Sequence, residues 1–234
     1  MQDLKVAIVQ TSLIWEDREA NLARFQEKLD RVLDEPDLVV LPEMFSTGFT
    51  MNAARLAEPM HGPTVAWMRE QAQRRGIHLI GSVIIEEDGR YYNRLIWAHP
   101  DGSIGKYDKR HLFRMANEQH VYSAGHEKLV VELHGWKICP FVCYDLRFPV
   151  WIRNLGNHYE VAIFIANWPA KRSAHWRALL LARAIENQAY VIGVNRIGED
   201  GNGFAHSGDS MVIDPAGDIL LHARNIECLQ TIPL

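Results

Sequence analysis

Apolar residues in the first part of the chain form a β-rich run followed by a segment with helical spacing. The run LKVAIVQ (4–10) is apolar and rich in β-branched residues, which is typical of a strand. Leu22, Phe25 and Leu29 then recur three or four positions apart, behind Asp17, a residue type that often caps a helix. The pattern therefore predicts a strand and then a helix.

The same pattern repeats in the next segment. The run DLVVLPE (37–43) predicts a second strand, which is ended by Pro42. A helix that begins at Pro63 and carries Val65 and Met68 on its apolar face follows it. The alternation of strand and helix indicates an α/β fold.

The middle of the chain has three strand-like runs without a helix between them. The runs are HLIGSVII (78–85), YYNRLIWA (91–98) and SIGKY (103–107). They are separated by the pairs Asp88-Gly89 and Asp101-Gly102, both of which favour tight turns. This part predicts an antiparallel meander.

The second half returns to long apolar runs around one helix. Its segments are the hairpin runs KLVVEL (128–133) and WKICPFV (136–142), the strands VAIFIAN (161–167) and AYVIGVN (189–195), a helix from about Ser173 to Asn187, and the strand-like MVIDPAGDILLHA (211–223) and ECLQTIP (227–233). Long buried strands need both faces of their sheet covered, and with few helices a second sheet has to cover one of those faces. We therefore expect a four-layer αββα sandwich in a single domain over residues 1–234.

Composition narrows the class of protein. A length of 234 residues suits one large α/β domain, and the formal net charge of -4 gives no broad positive field, so neither nucleic acid nor a membrane is an expected partner. The N-terminal MQDLKVAIVQ has no secretory pattern. Three cysteines, Cys139, Cys143 and Cys228, lack framework spacing, which is typical of reduced thiols and favours a cytoplasmic location.

Common catalytic and metal-binding motifs are missing from the sequence. It contains no GxSxG elbow, no P-loop and no HExxH. Cys139, Cys143 and His134 could serve as zinc ligands, but a structural zinc site needs four ligands and no matching second cluster accompanies them. We expect neither a metal nor an organic cofactor.

Three polar residues stand where strand patterns end: Glu43 after LVVLP, Lys109 after GKYD and Cys143 after CPFV. Taken singly, they can be a solvated carboxylate, a solvated amine and an inert buried thiol. Taken together, they form a reactive set, because a thiolate attacks carbonyls, a carboxylate can take its proton, and an ammonium can hold the resulting oxyanion. Strand ends at one edge of a sheet are also where sites form.

Four motifs extend this interpretation. LPEMF, YDKRHLF, CYDLRFP and IANWP, in this order, resemble the nitrilase (carbon-nitrogen hydrolase) superfamily, and the match runs from residue 4 to about 231. YDKRHLFRMANEQ and RAIENQAYV further resemble its ω-amidase group. The resemblance implies that Glu43 is the general base, Lys109 the oxyanion-stabilising cation and Cys143 the nucleophile. It also implies that Glu118 orients Lys109 and the substrate, and the N–H of Tyr144 is the natural second oxyanion donor.

The implied activity is hydrolysis of the terminal amide of a small carboxylate-bearing amide, such as 2-oxoglutaramate or 2-oxosuccinamate, through a cysteine thioester. Nitrile hydrolysis, N-carbamoyl cleavage and a non-catalytic binding module remain alternatives, because a fold does not fix a function. A homodimer is expected. Its extent stays open, because the chain ends at Leu234, where members of the superfamily usually continue into a C-terminal arm.

A substrate carboxylate needs a cation in an otherwise apolar pocket. Arg172, after ANWP, is the preferred candidate, and Arg114 is the next; each can instead be a solvated surface arginine. Trp168 can wall the pocket or belong to the core. We expect Arg147 to tie down the turn after Cys143, through a carboxylate such as Asp145 or a neighbouring segment.

Overall fold

Two β-sheets form the centre of the molecule in the computed structural model, which describes residues 3–32 and 34–234. The first sheet has six strands in the order β13-β1-β2-β3-β4-β5. These strands are β1 (Lys5–Gln10), β2 (Leu38–Val40), β3 (His78–Glu87), β4 (Arg90–Ala98), β5 (Ile104–Asp108) and β13 (Cys228–Pro233). β1, β2 and β3 are parallel, whereas the meander β3-β4-β5 and the β1-β13 pair are antiparallel.

The second sheet has seven strands, ordered β10-β11-β9-β8-β7-β6, with β12 also paired to β11. They are β6 (Val131–Leu133), β7 (Trp136–Val142), β8 (Val161–Ala166), β9 (Tyr190–Asn195), β10 (Ile197–Glu199), β11 (Ala205–Ile213) and β12 (Ile219–Arg224). β7, β8 and β9 are parallel, so their carboxyl ends lie at the same edge of the sheet.

The helices are α1 (Arg18–Leu29), α2 (Ala53–Leu56), α3 (Pro63–Arg75), α4 (Pro149–Ile152) and α5 (Ser173–Asn187). The three longest, α1, α3 and α5, pack against the sheets, whereas α2 and α4 have four residues each. α1 begins after Asp17, whose side chain accepts a hydrogen bond from the Ala20 N–H at 3.0 Å. α3 begins with Pro63 and ends at Gly76, which has a left-handed φ of 67°.

Alternate side chains of β1 show how the layers are stacked. Val6 and Ile8 belong to the apolar cluster that contains the second sheet, whereas Ala7 and Val9 pack in the cluster of α1 and α3. On the other side, Trp176 of α5 packs against the second sheet. Helix, sheet, sheet and helix follow one another, so the predicted αββα sandwich is confirmed.

Most predicted elements are confirmed, including the helix from Ser173 to Asn187, but the first strand of the 128–142 hairpin is shorter than expected. Its ladder starts only at Val131, opposite Ile138. Continued pairing would set Leu129 opposite Pro140, which has no N–H to donate. The prediction of a strand over 128–130 is therefore wrong.

Candidate active site

A buried cluster of three ionisable side chains lies at the edge where strands of both sheets end. Lys109 Nζ donates to Glu43 Oε1 at 2.9 Å and to both carboxylate oxygens of Glu118 at 3.0 Å. All three side chains are fully buried. The sequence predicted these residues for one site, and the structure brings them into direct contact.

The charges of this cluster depend on one another. Burial by itself would lower the pKa of Lys109, but the negative charges of Glu118 and Glu43 raise it well above its ordinary value. Burial raises the pKa of Glu118, and Lys109 opposes that shift. The ammonium therefore stays charged, and its position is fixed by two carboxylates.

Glu43, which follows β2, is held by a set of donors from three segments. Besides Lys109, its Oε1 accepts a hydrogen bond from Asn93 Nδ2 at 2.8 Å, and its Oε2 accepts one from the Asn167 N–H at 2.8 Å. The side chain of Asn167 also donates to the Glu43 carbonyl. These hydrogen bonds, which reach both oxygens, hold the Glu43 carboxylate in one orientation.

Cys143 occupies a sharp turn between β7 and a short 3₁₀ helix, Cys143–Arg147. Its φ of 46° lies in the left-handed region, which a residue with a side chain adopts only at a cost of about 1–3 kcal/mol. The turn brings the thiol close enough to Glu43 for the charge of that carboxylate to act on it. Burial, followed by the charge of Glu43, raises the pKa of Cys143 well above its ordinary value, although Lys109 opposes this.

The raised pKa has a chemical consequence. The neutral thiol is the favoured form, so a nearby base has to remove the proton as the sulfur attacks. Glu43 contacts Lys109, and its charge also acts on the thiol. The cluster can therefore supply a base, a nucleophile and a cation to one reacting centre.

Arg183 and Arg147 support the turn after Cys143 in different ways. Arg183 of α5 donates to the Leu146 carbonyl at 2.7 and 3.1 Å and forms an ion pair with Glu186 at 2.8 Å. Arg147 contacts α5 through His175 Nδ1 at 3.0 Å. Of the two alternatives expected for Arg147, the contact is thus with a neighbouring segment and not with Asp145.

A cavity of about 660 Å³ opens above Cys143 and Lys109. Its walls include the aromatic side chains of Trp15, Phe49 and Phe113. The cation of Lys109 lies 5.0 Å from the centre of the Phe49 ring. A cavity of this size suits a small ligand.

The cavity mouth has a surplus of positive charge. Arg147, Lys171 and Arg172 line it, with Asp200 as the acidic member of the lining. Arg147 and Arg172 rest on aromatic rings, at 4.8 Å from the centre of Trp168 and 5.2 Å from the centre of Phe113. Within residues 3–32 and 34–234, no carboxylate forms an ion pair with any of the three cations.

The other predicted binding residues have different positions. Tyr144 and Trp168 line the cavity, and Trp168 Nε1 donates to the Arg172 carbonyl at 2.8 Å. Arg114 is exposed on a short 3₁₀ helix, Arg114–Ala116, and its neighbours Met115 and Ala116 line the cavity while it does not. The structure therefore brings Arg172, but not Arg114, to the site.

Two asparagines of the site were not predicted from the sequence. Asn167 follows a strand, as Glu43 does, and the same reasoning on strand ends would have found it. Asn93 is a fully buried amide inside the apolar run of β4, which is itself a signal, because buried polar groups need partners. The imagined zinc ligand His134 is instead hydrogen-bonded to Asp37 at 3.0 Å.

The chain belongs to the carbon-nitrogen hydrolase family, which residues 5–228 match. It is 50% identical over 223 residues to "Omega-amidase YafV" of Escherichia coli K12, covering 95% of this chain and 86% of the relative. It is 38% identical over 205 residues to "2-oxoglutaramate amidase" of Bacillus subtilis, covering 86% of this chain and 78% of the relative.

A solved structure gives the same picture of the fold. XC1258 from Xanthomonas campestris is described as a CN-hydrolase superfamily protein with an arsenic adduct in the active site. Its TM-score is 0.97 at 45% identity, and the match covers 100% of this chain and 91% of that one. The predicted family is confirmed. In the part of the chain that the structure describes, no helix has the length and apolarity needed to cross a bilayer.

Proposed function

We propose that the protein is an ω-amidase that hydrolyses the terminal amide of a small carboxylate-bearing amide, such as 2-oxoglutaramate or 2-oxosuccinamate. The observation that carries the proposal is the fully buried contact of Lys109 with Glu43 and Glu118, beside a cavity that both Lys109 and Cys143 line. The likeness to the E. coli and B. subtilis amidases supports the choice of substrate class.

In the first half-reaction, Glu43 takes the proton of the Cys143 thiol while the sulfur attacks the amide carbon. The carbonyl oxygen becomes an oxyanion, which Lys109 Nζ and the backbone N–H of Tyr144 stabilise. The C–N bond then breaks, Glu43 returns the proton to the leaving nitrogen, and ammonia departs. An acyl thioester remains on Cys143.

In the second half-reaction, Glu43 takes a proton from water, and the hydroxide attacks the thioester carbon. The C–S bond breaks, the proton returns to the sulfur, and the carboxylic acid leaves. Glu118 holds Lys109 in place through both steps, as its two 3.0 Å contacts suggest. Each residue of the buried cluster thus has a role, and apart from the substrate and one water molecule the scheme uses only groups of the chain itself.

Arg172 is our proposed anchor for the substrate carboxylate. It lines the cavity, and burial together with the neighbouring charge of Arg147 lowers its pKa, whereas Cys143 opposes this. An anion beside it would replace lost solvent and offset the repulsion between the two guanidinium groups. Arg114, exposed and outside the cavity lining, is the weaker candidate.

The test is a substrate panel read out by ammonia release. An ω-amide of a dicarboxylic acid, the matching nitrile and an N-carbamoyl amino acid would be compared at equal concentration. We expect the highest kcat/KM for the ω-amide. A preference for the nitrile or the carbamoyl compound would move the protein to one of those activities, and no turnover of any of them would favour a binding module.

The thioester can be tested by itself. Mass spectrometry of enzyme quenched during turnover should show a tryptic peptide with the acyl group on Cys143. The mass of unmodified enzyme throughout a single turnover would argue for direct attack by water.

We also propose a cytoplasmic location, which is supported by three cysteines without disulfide bonds, Cys139, Cys143 and Cys228.

A homodimer is proposed on the basis of an exposed apolar surface. Ile185 on α5 lies against Gly217, in the turn before β12, and β12 exposes Ile219 and Leu220. Adjacent exposed apolar side chains often mark an interface. Ile219→Glu should shift the sedimentation coefficient from dimer to monomer, and Val150→Glu, at another exposed apolar position, should not. A monomeric wild-type protein would refute the proposal.

A further inference from the structure

The Asp145 carboxylate, two residues after Cys143, lies behind the proposed nucleophile and is fully buried. Its Oδ2 accepts hydrogen bonds from Tyr107 Oη at 2.7 Å and from the Val142 N–H at 3.1 Å. Its Oδ1 accepts two more from His111, one from the backbone N–H at 2.9 Å and one at 2.8 Å from Nδ1. The proposed mechanism assigns this group no role.

The donors come from the two segments that carry the proposed nucleophile and the proposed cation. Tyr107 and His111 stand two residues before and two residues after Lys109, and Val142 stands directly before Cys143. One buried carboxylate therefore joins the backbone around the ammonium to the backbone around the thiol. A buried charge whose oxygens are satisfied from two segments keeps those segments at a fixed separation.

The contact to His111 fixes the tautomer of its ring. A carboxylate only accepts hydrogen bonds, so we assign the proton of the 2.8 Å contact to Nδ1 of the His111 ring. The ring is also stacked on Phe148, with 3.7 Å between centroids and 5° between planes. His111 therefore touches the segment after Cys143 in two ways, by a hydrogen bond and by ring packing.

We infer, on the basis of the proposed roles of Cys143 and Lys109, that Asp145 and His111 are positioning residues that set the thiol and the ammonium at the separation needed for attack. The hydrogen bond, and not the ring stacking, carries this effect. The separation of the thiol and the ammonium matters for the chemical step and not for substrate binding. Loss of the positioning contact should therefore lower kcat far more than it changes KM.

The first test is Asp145→Asn, which keeps the shape of the side chain. Each oxygen of Asp145 receives two donors, so an amide NH₂ faces donors in either orientation. We expect kcat for the ω-amide to fall by about a hundredfold, the scale of a misplacement of about 1 Å, while KM changes by less than about threefold. Alkylation of Cys143 by iodoacetamide should slow as well.

A pair of variants at His111 separates its hydrogen bond to Asp145 from its ring stacking on Phe148. This test remains available if the Asp145→Asn protein does not fold. His111→Asn retains a donor near the position of Nδ1 but loses the stacked ring, whereas His111→Phe retains a ring on Phe148 but has no donor. We expect the Asn enzyme to keep kcat within about tenfold of wild type and the Phe enzyme to lose about a hundredfold. His158→Phe, at an exposed position, is the matched control and should change nothing.

The opposite order, with the Phe enzyme active and the Asn enzyme inactive, would show that ring packing is what matters and would overturn the inference. Equal and small effects in all variants would overturn it too. Iodoacetamide alkylation needs no amide substrate. If the wild-type enzyme turned over no ω-amide, the proposed function would fail, but the ratio of alkylation rates between the Asn and Phe variants would still test the positioning role.

Discussion

The cations in the interior of the site and those at its mouth have different partners. Inside, Lys109 is fully buried and contacts two carboxylates, those of Glu43 and Glu118. At the mouth, Arg147 and Arg172 line the same cavity without a carboxylate partner among the described residues, and they rest on aromatic rings instead. The interior holds its cation in one place, and the mouth leaves its cations available to a ligand.

This difference separates chemistry from substrate choice. A fixed, desolvated cation acts on charge that develops in the transition state, because its environment need not reorganise. A partly solvated cation attracts an anion that is present from the start, and so contributes to substrate binding. Changes in the interior should therefore appear in kcat, and changes at the mouth in KM.

The largest effect is expected at Cys143 itself. Cys143→Ala removes the proposed nucleophile and should abolish turnover, because neither a thiolate nor a thioester can form. Cys139→Ala and Cys228→Ala are the matched controls and should remain active, since neither thiol lines the cavity. Ammonia release from the ω-amide is the measurement, and activity that survives in the Cys143 variant would rule out the thioester mechanism.

Lys109 should give the next largest effect. Lys109→Ala removes the proposed oxyanion cation, and kcat should fall by about a hundredfold or more. Lys109→Arg should not restore it, because a planar guanidinium does not replace a point charge in a fully buried site.

A control keeps the loss of Lys109 apart from a general loss of charge. Lys106→Ala, three residues earlier and on β5, removes an exposed lysine that is 3.6 Å from Glu87, and should leave kcat unchanged. Because Lys109→Ala also leaves two carboxylates buried without their cation, thermal unfolding should be measured alongside. A folded Lys109→Arg enzyme with a normal kcat would exclude the proposed role.

The interior is the part of the site that could be predicted best from the sequence. Glu43, Lys109 and Cys143 each interrupt a strand pattern, and strand ends at one sheet edge meet in space. Glu118 has no such signal and was assigned from the family resemblance alone. Asn93 and the pair of Asp145 and His111 act through contacts between segments distant in sequence, which no local pattern contains.

The residues at the cavity mouth were harder to predict, because the sequence does not show which side chains line the cavity and which face solvent. Arg114 and Arg172 are both arginines in loops next to family motifs, and only the fold separates the one that lines the cavity from the one that faces solvent. The strand limits show a similar effect. The run 128–133 has a continuous apolar pattern, but the register places Pro140 opposite its first half, and pairing ends there.

Arg172 should give an effect that depends on the substrate. Arg172→Ala should raise KM for a dicarboxylic acid monoamide by roughly tenfold to a hundredfold, the range for a lost hydrogen bond to a charged group, with kcat little changed. A simple uncharged aliphatic amide should be almost unaffected. Arg114→Ala is the matched control and should leave both substrates unchanged, since its side chain is outside the cavity lining.

Equal losses for the charged and uncharged amides would mean that Arg172 supports the cavity wall and does not bind the carboxylate. This outcome is physically reasonable, because the Arg172 carbonyl accepts a hydrogen bond from Trp168 Nε1 and its guanidinium rests on Phe113. A rise in KM with Arg114→Ala instead would transfer the role to that residue. Each result thus identifies which arginine, if either, the substrate carboxylate meets.

We expect the smallest effect at His206, which lines the cavity. Its protonation should change the stability of the fold and not the turnover of substrate. Its side chain is buried, and burial followed by the charge of Arg196 lowers its pKa from 6.5 to about 4. The fold therefore favours the neutral ring, and the stability that this contributes is fully present above about pH 6.5 and is lost as the pH falls through about 4. We expect the midpoint of thermal unfolding to fall over this window, and to fall less in His206→Asn, which cannot take up the proton. A fall of the same size in that variant would assign the effect to another histidine, such as the half-buried His78, whose pKa is also lowered to about 4.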